Sequence, residues 1–162
     1  MQKNVLEKKK KDASLKSQRG ATVVEFAIIL SLLVTLIFAI IEFGLFFFNR
    51  HVITNAVREA ARAGIVVRIP RTSDAAIETI ARNYCEQYLV TFGAGSLNIP
   101  LPLLREDPSG NPLGVDSDGN PILGQFGDVL TVRATYQYDW LFLSTLGLEP
   151  KTIQAVARMK ME

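Results

Sequence analysis

Glu25 and Glu42 are the two residues whose type and place in this sequence most demand a chemical partner. Glu25 comes five residues after Gly20 and one residue before Phe26–Ile41, sixteen uncharged, mostly apolar residues; Glu42 closes that run. A carboxylate beside lipid is costly unless it sits among headgroups or meets a cation or a donor. The chemistry expected of both is therefore pairing rather than proton transfer. Elsewhere, catalysis has little to work with. His51 and Cys85 are the only residues of their types and stand 34 positions apart without patterned partners, so no nucleophile–base pair is read from them. His51 reads as an interfacial or solvated residue. Cys85 has no intrachain cysteine to join, which leaves a buried apolar role or pairing between chains. Asp116, Asp118 and Asn120 alternate like part of a calcium loop, but Gly119 falls between the second and third ligands and no closing glutamate follows. A tight turn and a weak calcium site are both open there. No other metal site and no cofactor is expected.

The elements that position these residues begin with charge. Residues 1–20 carry seven Lys and Arg against Glu7 and Asp12, a balance of +5, so the remainder sums to −3 within the total of +2. A basic run ahead of an apolar helix keeps its flank in the cytoplasm. No basic surface remains downstream to argue for nucleic acid. From Ala21 to Phe48 only Glu25 and Glu42 are charged, a run longer than the roughly 20 apolar residues that span a bilayer. A removed secretory signal does not fit. "EFGLFFFNR" occupies the place of a small-residue cleavage site, and Ala61-Arg62-Ala63 comes too late.

Beyond the span, Val52, Ile53, Ala56, Val57, Ala60 and Gly64 make one helical stripe, with His51, Asn55, Arg58 and Arg62 opposite. One helix therefore runs through the membrane and into the head, with Gly64 and Pro70 as terminators. A second helix is expected over 73–90, capped by Thr72, Ser73 or Asp74, its buried stripe Ile77, Ile80, Ala81, Tyr84 and Tyr88. Gly93 and Gly95 end it. Residues 93–128 read as a loop with tight turns or a hairpin. The segments 129–140 and 152–161 alternate as half-buried strands: Leu130, Val132, Ala134, Tyr136, Tyr138 and Trp140 in the first, Ile153, Ala155, Ala157, Met159 and Met161 in the second. The fold class is α+β: a cytoplasmic leader (1–20), a transmembrane helix (21–48) and an extracytoplasmic head (49–162) whose antiparallel sheet is backed by the long helix.

Within the span, Ser31, Thr35, Ala39 and Glu42 follow i, i+4, i+8 and i+11, a small and polar stripe suited to close helix packing in lipid. Glu42 lies about 25 Å along the axis from Glu25 and about 100° round it. It is read as near the outer interface, or else as a second contact between subunits.

Arg19-Gly20, four residues, then Glu25-Phe26 and the apolar helix together resemble the cleavage motif of type IV pilin-like proteins, in the form found in the Flp/Tad (tight adherence) system. "RGATVVEFAII" with "NAVREAARAG" looks like the TadE-like pseudopilins. The likeness covers 19–64 and, loosely, the closing strands that end in "ARMKME"; 93–128 carry no family signal. Phe26 stands where Tyr is common, and the leader is long. The resemblance implies a type IV pilin-like fold and a prepilin peptidase that cuts after Gly20, leaving a chain that starts at Ala21. It implies that Glu25 faces a neighbour's new N-terminus, and that the protein acts by binding, not as an enzyme. Implied partners are the peptidase, other pilins and pseudopilins, the inner-membrane assembly platform and membrane lipid, with no nucleic acid. The implied place is the bacterial inner membrane as a single-pass protein, N-terminus cytoplasmic and head outside, with incorporation into a surface pilus open. Because the head is far longer than the tail of a major pilin, a minor pseudopilin is expected. The rival is an uncleaved, membrane-anchored domain that binds a ligand or metal.

Overall fold

The computed structural model describes residues 2–66, 71–91, 96–101, 103–118 and 122–161, with 2–19 described only as helix. The chain divides into two units, Met1–Ile41 and Glu42–Glu162. A single helix, α1, runs from Gln2 to Ile65. It therefore extends back through the basic leader, where Lys, Glu, Leu and Ala favour helix and no proline interrupts. Its most apolar window has mean hydropathy 2.8 and none of that window is buried in the chain. It is long and apolar enough to cross a membrane.

The head unit begins where α1 changes pattern. Val52, Ile53, Ala56, Val57, Ala60 and Ala61 are buried, and His51, Asn55, Arg58 and Arg62 are exposed. The second helix, α2, covers Asp74–Tyr88, with Ser73 as N-cap accepting the Ala76 N–H at 3.3 Å. Its buried face is Asp74, Ile77, Ala81 and Cys85, one step round from the expected stripe; Ile80 and Tyr84 are half-buried, and Tyr88 is exposed. The Tyr84 and Tyr88 rings lie 4.8 Å apart at the edge of that face. The phase was shifted because polar Asp74 turns inward, which periodicity of apolar residues cannot anticipate.

The sheet is antiparallel and built around one central strand. Strands β1 (Leu97–Asn98) and β2 (Leu104–Glu106) share one edge of β3 (Val129–Tyr138), and β4 (Lys151–Lys160) pairs along the other from Val129↔Lys160 to Tyr138↔Lys151. The expected loop thus contributes two short strands. Its hairpin is real: Asp107 accepts the N–H groups of Ser109 and Asn111, and Leu113 N–H returns to the Arg105 carbonyl. The six inward residues expected of β3 and its extension are all buried, as are Ile153, Ala155, Ala157 and Met161 of the last segment; Met159 is half-buried.

The helix ends at Ile65, one residue past Gly64, and that glycine also has a packing role. It is helical and buried, and a Cβ there would lie 2.4 Å from Leu130 Cδ2 and 2.7 Å from Ile77 Cδ1. It is the point where α1, α2 and β3 touch. Pro70, Gly93 and Gly95 lie outside the described residues. Gly64→Val is expected to destabilise the head by about 1–3 kcal/mol through overpacking, because both neighbouring side chains are themselves buried. Urea unfolding of the full chain in detergent measures this; an unchanged midpoint would refute the tight contact.

Candidate functional site

Gly20 and Glu25 occur on unbroken helix. A Cβ on Gly20 would meet nothing within 4 Å, so no packing in this chain requires a glycine there. In a helix interior Gly costs roughly 0.5–1 kcal/mol against Ala. Ala21, Glu25 and Phe26 are exposed, and none of the ion pairs among the described residues involves Glu25. Ser31 donates its hydroxyl to the Ile28 carbonyl at 2.8 Å and Thr35 to that of Ser31 at 2.9 Å. Those hydroxyls are satisfied by their own helix, so the stripe with Ala39 presents small residues to its surroundings without stranding a donor.

Glu42 behaves differently from that stripe. It is 3% exposed within the head unit. Both its carboxylate oxygens lie 3.1 Å from the Phe142 backbone N–H, and Oε2 accepts the Leu143 N–H at 2.8 Å. These donors open the short 3-10 helix Leu143–Leu146, so a negative charge meets the first N–H groups of that turn. Burial of the Tyr138 phenol, and after it the Glu42 charge, push that phenol above its usual range. Glu42 thus has an intramolecular partner one hundred residues away, where sequence read it as near the outer interface or else as a contact between subunits. Seven residues on, Asn49 is fully buried; its side chain donates to the Val90 carbonyl at 2.7 Å and accepts the Val90 N–H at 3.0 Å. Sequence reasoning missed Asn49. A polar residue directly after the aromatic run was the available signal.

Residues 20–62 match the family model of TadE-like protein. The TadE-like segment starts on Gly20, includes the whole apolar span and ends three residues short of the end of α1. The likeness read from sequence therefore stands for the helix, and the matched segment stops before α2 and the sheet. No curated protein and no solved structure matches the chain.

Beyond the TadE-like segment, the head holds one buried ion pair among the described residues. Asp74, at the start of α2, pairs with Arg105 of β2 and accepts the Leu103 N–H at 2.9 Å. Side-chain exposure is 2% for Arg105 and 10% for Asp74, and two further Arg105 nitrogens have no partner among the described residues. Sequence showed neither partner as special, because Asp74 reads as an ordinary helix-cap residue.

The residues considered for chemistry do not converge. His51 is exposed on α1. Asp118 donates its N–H to Asp116 Oδ1 at 2.9 Å, the bond of a turn, while Asn120 lies outside the described residues. Among the described residues no three of His, Cys, Asp and Glu gather to hold a metal. Cys85 is 1% exposed, and burial pushes its thiol up to about 11. The stability of burying a neutral thiol is therefore complete below the ordinary thiol value and is lost as pH rises towards 11. At pH 8 a maleimide is expected to label Cys85 only slowly in the folded chain and fast in denaturant; equal rates would show an open thiol.

Proposed function

We propose that this chain is a minor pseudopilin of a Flp/Tad-type system, cut after Gly20 by a prepilin peptidase and acting through assembly, not catalysis. The observation that carries the reading is the TadE-like match from Gly20, on a helix whose most apolar stretch is unburied in the chain. A helix of that kind needs lipid or neighbouring helices to cover it.

Processing makes sense of Gly20. A peptidase must draw an extended strand from what is helical here, and a glycine lowers the cost of opening that turn while leaving room at the cut. Cleavage removes the +5 leader and creates an amine at Ala21. Glu25 of one subunit then pairs with the amine of another, relieving a carboxylate that is unfavourable in lipid. The partners are the peptidase, other pilins and pseudopilins, the inner-membrane assembly platform and lipid. The site is the bacterial inner membrane, N-terminus inside and head outside. No enzymatic role is assigned to the head.

Mass spectrometry of the membrane-extracted protein tests this directly. The expected mass is that of a chain beginning at Ala21. A mature protein still beginning at Met1 would sink the reading and favour an uncleaved, membrane-anchored binding domain.

A further inference from the structure

The connection between β3 and β4 holds nine uncharged residues, Trp140 to Leu148, between Asp139 and Glu149. It is firmly held. Trp140 stacks on Phe46 at 5.4 Å and meets Phe43 edge-on at 5.5 Å, while Glu42 takes the Phe142 and Leu143 N–H groups. The Trp140 indole donates to the Glu149 carbonyl at 2.8 Å, and the Leu148 N–H donates to the Leu143 carbonyl. Gly147, at φ +86°, closes the 3-10 turn by donating to Leu143 and Ser144. Yet this pinned loop leaves Leu141 and Leu148 exposed, with Phe43 and Phe47 exposed on the adjoining turn of α1.

The place of the loop along α1 identifies what covers it. Its contacts fall on Glu42, Phe43 and Phe46, the turn that follows the uncharged run Phe26–Ile41. A hydrocarbon core of about 30 Å takes about 20 helical residues, and counted from Phe26 it reaches Leu45. The loop therefore meets the helix at the level where lipid ends. Its composition suits that level: a tryptophan whose N–H is already bonded, leucines outward, acids at both ends. The N–H groups of Thr145, Gly147 and Leu148 are turned onto its own carbonyls and those of Phe142 and Leu143 onto Glu42, which would otherwise be a bare carboxylate at the edge of the core.

We propose that residues 140–148 form a membrane-interface anchor, bedding Leu141 and Leu148 into the headgroup–acyl boundary of the leaflet from which α1 emerges. The inference needs α1 to span lipid but does not depend on the pilus role. Its partner is the bilayer surface.

The test uses the full chain in phosphatidylcholine vesicles at low protein-to-lipid ratio. An environment-sensitive fluorophore is attached at Leu148→Cys in a Cys85→Ser background, with Asp118→Cys as the exposed control. Flotation with the vesicles reports insertion of the span separately. In floating protein, the label at 148 is expected to emit at shorter wavelength, to be quenched by lipid-borne nitroxide, and to be several-fold better protected from iodide than the label at 118. Equal iodide access at both positions would overturn the anchor. Protection that disappears on dilution with lipid would name a second copy as the cover and overturn it equally. Trp140, the sole tryptophan, reads the same loop in the unsubstituted chain. Strong quenching by lipids brominated near the headgroup is expected, falling several-fold in Leu148→Asp. No quenching in the unsubstituted chain would refute the proposal even if the labelled variants fail to fold.

Discussion

Asp74→Ala is expected to destabilise the head by about 3–5 kcal/mol, since it leaves the Arg105 guanidinium buried without its carboxylate. That guanidinium is 2% exposed, and the Leu103 N–H loses its acceptor in the same step. Removing both charges costs far less. The double variant Asp74→Ala, Arg105→Met is expected to regain most of the loss, because an apolar pair avoids the desolvation that the ion pair suffers. Urea titration of the full chain in detergent, followed by Trp140 fluorescence, measures both. A single variant within about 1 kcal/mol of the parent would mean that water reaches Arg105 and the pair is effectively a surface one. The surface pair Glu78–Arg82 supplies the contrast, for its loss is expected to cost no more than about 0.5 kcal/mol.

Gly20→Asp is expected to abolish processing, so that all of the protein in the membrane retains the leader. The chain itself gives no reason for a penalty, as nothing lies within 4 Å of a Cβ at Gly20. A defect in processing with normal membrane insertion therefore assigns the requirement to a partner, and normal processing of this variant would count against the peptidase. Glu25→Ala separates the next step. It should be cut normally and then incorporate poorly, by more than about tenfold, because the neighbour's amine loses a partner in a medium of low dielectric. Unimpaired incorporation would remove Glu25 from assembly. Immunoblots of membrane and sheared surface fractions read both variants.

The two glutamates show how far sequence carries. They looked alike as charges bounding one apolar run, and their spacing said that they lie on different faces of the helix with Glu42 towards its outer end. Glu25 is exposed on the span, whereas Glu42 is buried in the head against backbone donors at 142 and 143. Nothing near Glu42 in the chain marks that pairing. The loop that satisfies it lies beyond a second helix and three strands in the chain.

What sequence by itself determined was one-sided burial and local conformation. The apolar length gave a helix long enough to cross a membrane, and the spacing of Val52 to Gly64 gave the face turned to the core. Alternation in 129–140 and 152–161 gave the paired strands with their inward residues, and the Gly20–Glu25 interval gave the TadE-like likeness. Each of these is written within a few turns or one strand, where periodicity of 3.6 or 2 records which side meets solvent. Tertiary structure alone decided the pairings: Glu42 with the 142–143 backbone, Asn49 with Val90, Asp74 with Arg105, and Gly64 as a close contact with Leu130 and Ile77. In all four a polar or side-chain-free residue reads locally as a boundary or a cap. Its real role depends on a segment 13 to 101 positions away, and no local pattern encodes the approach of distant backbone.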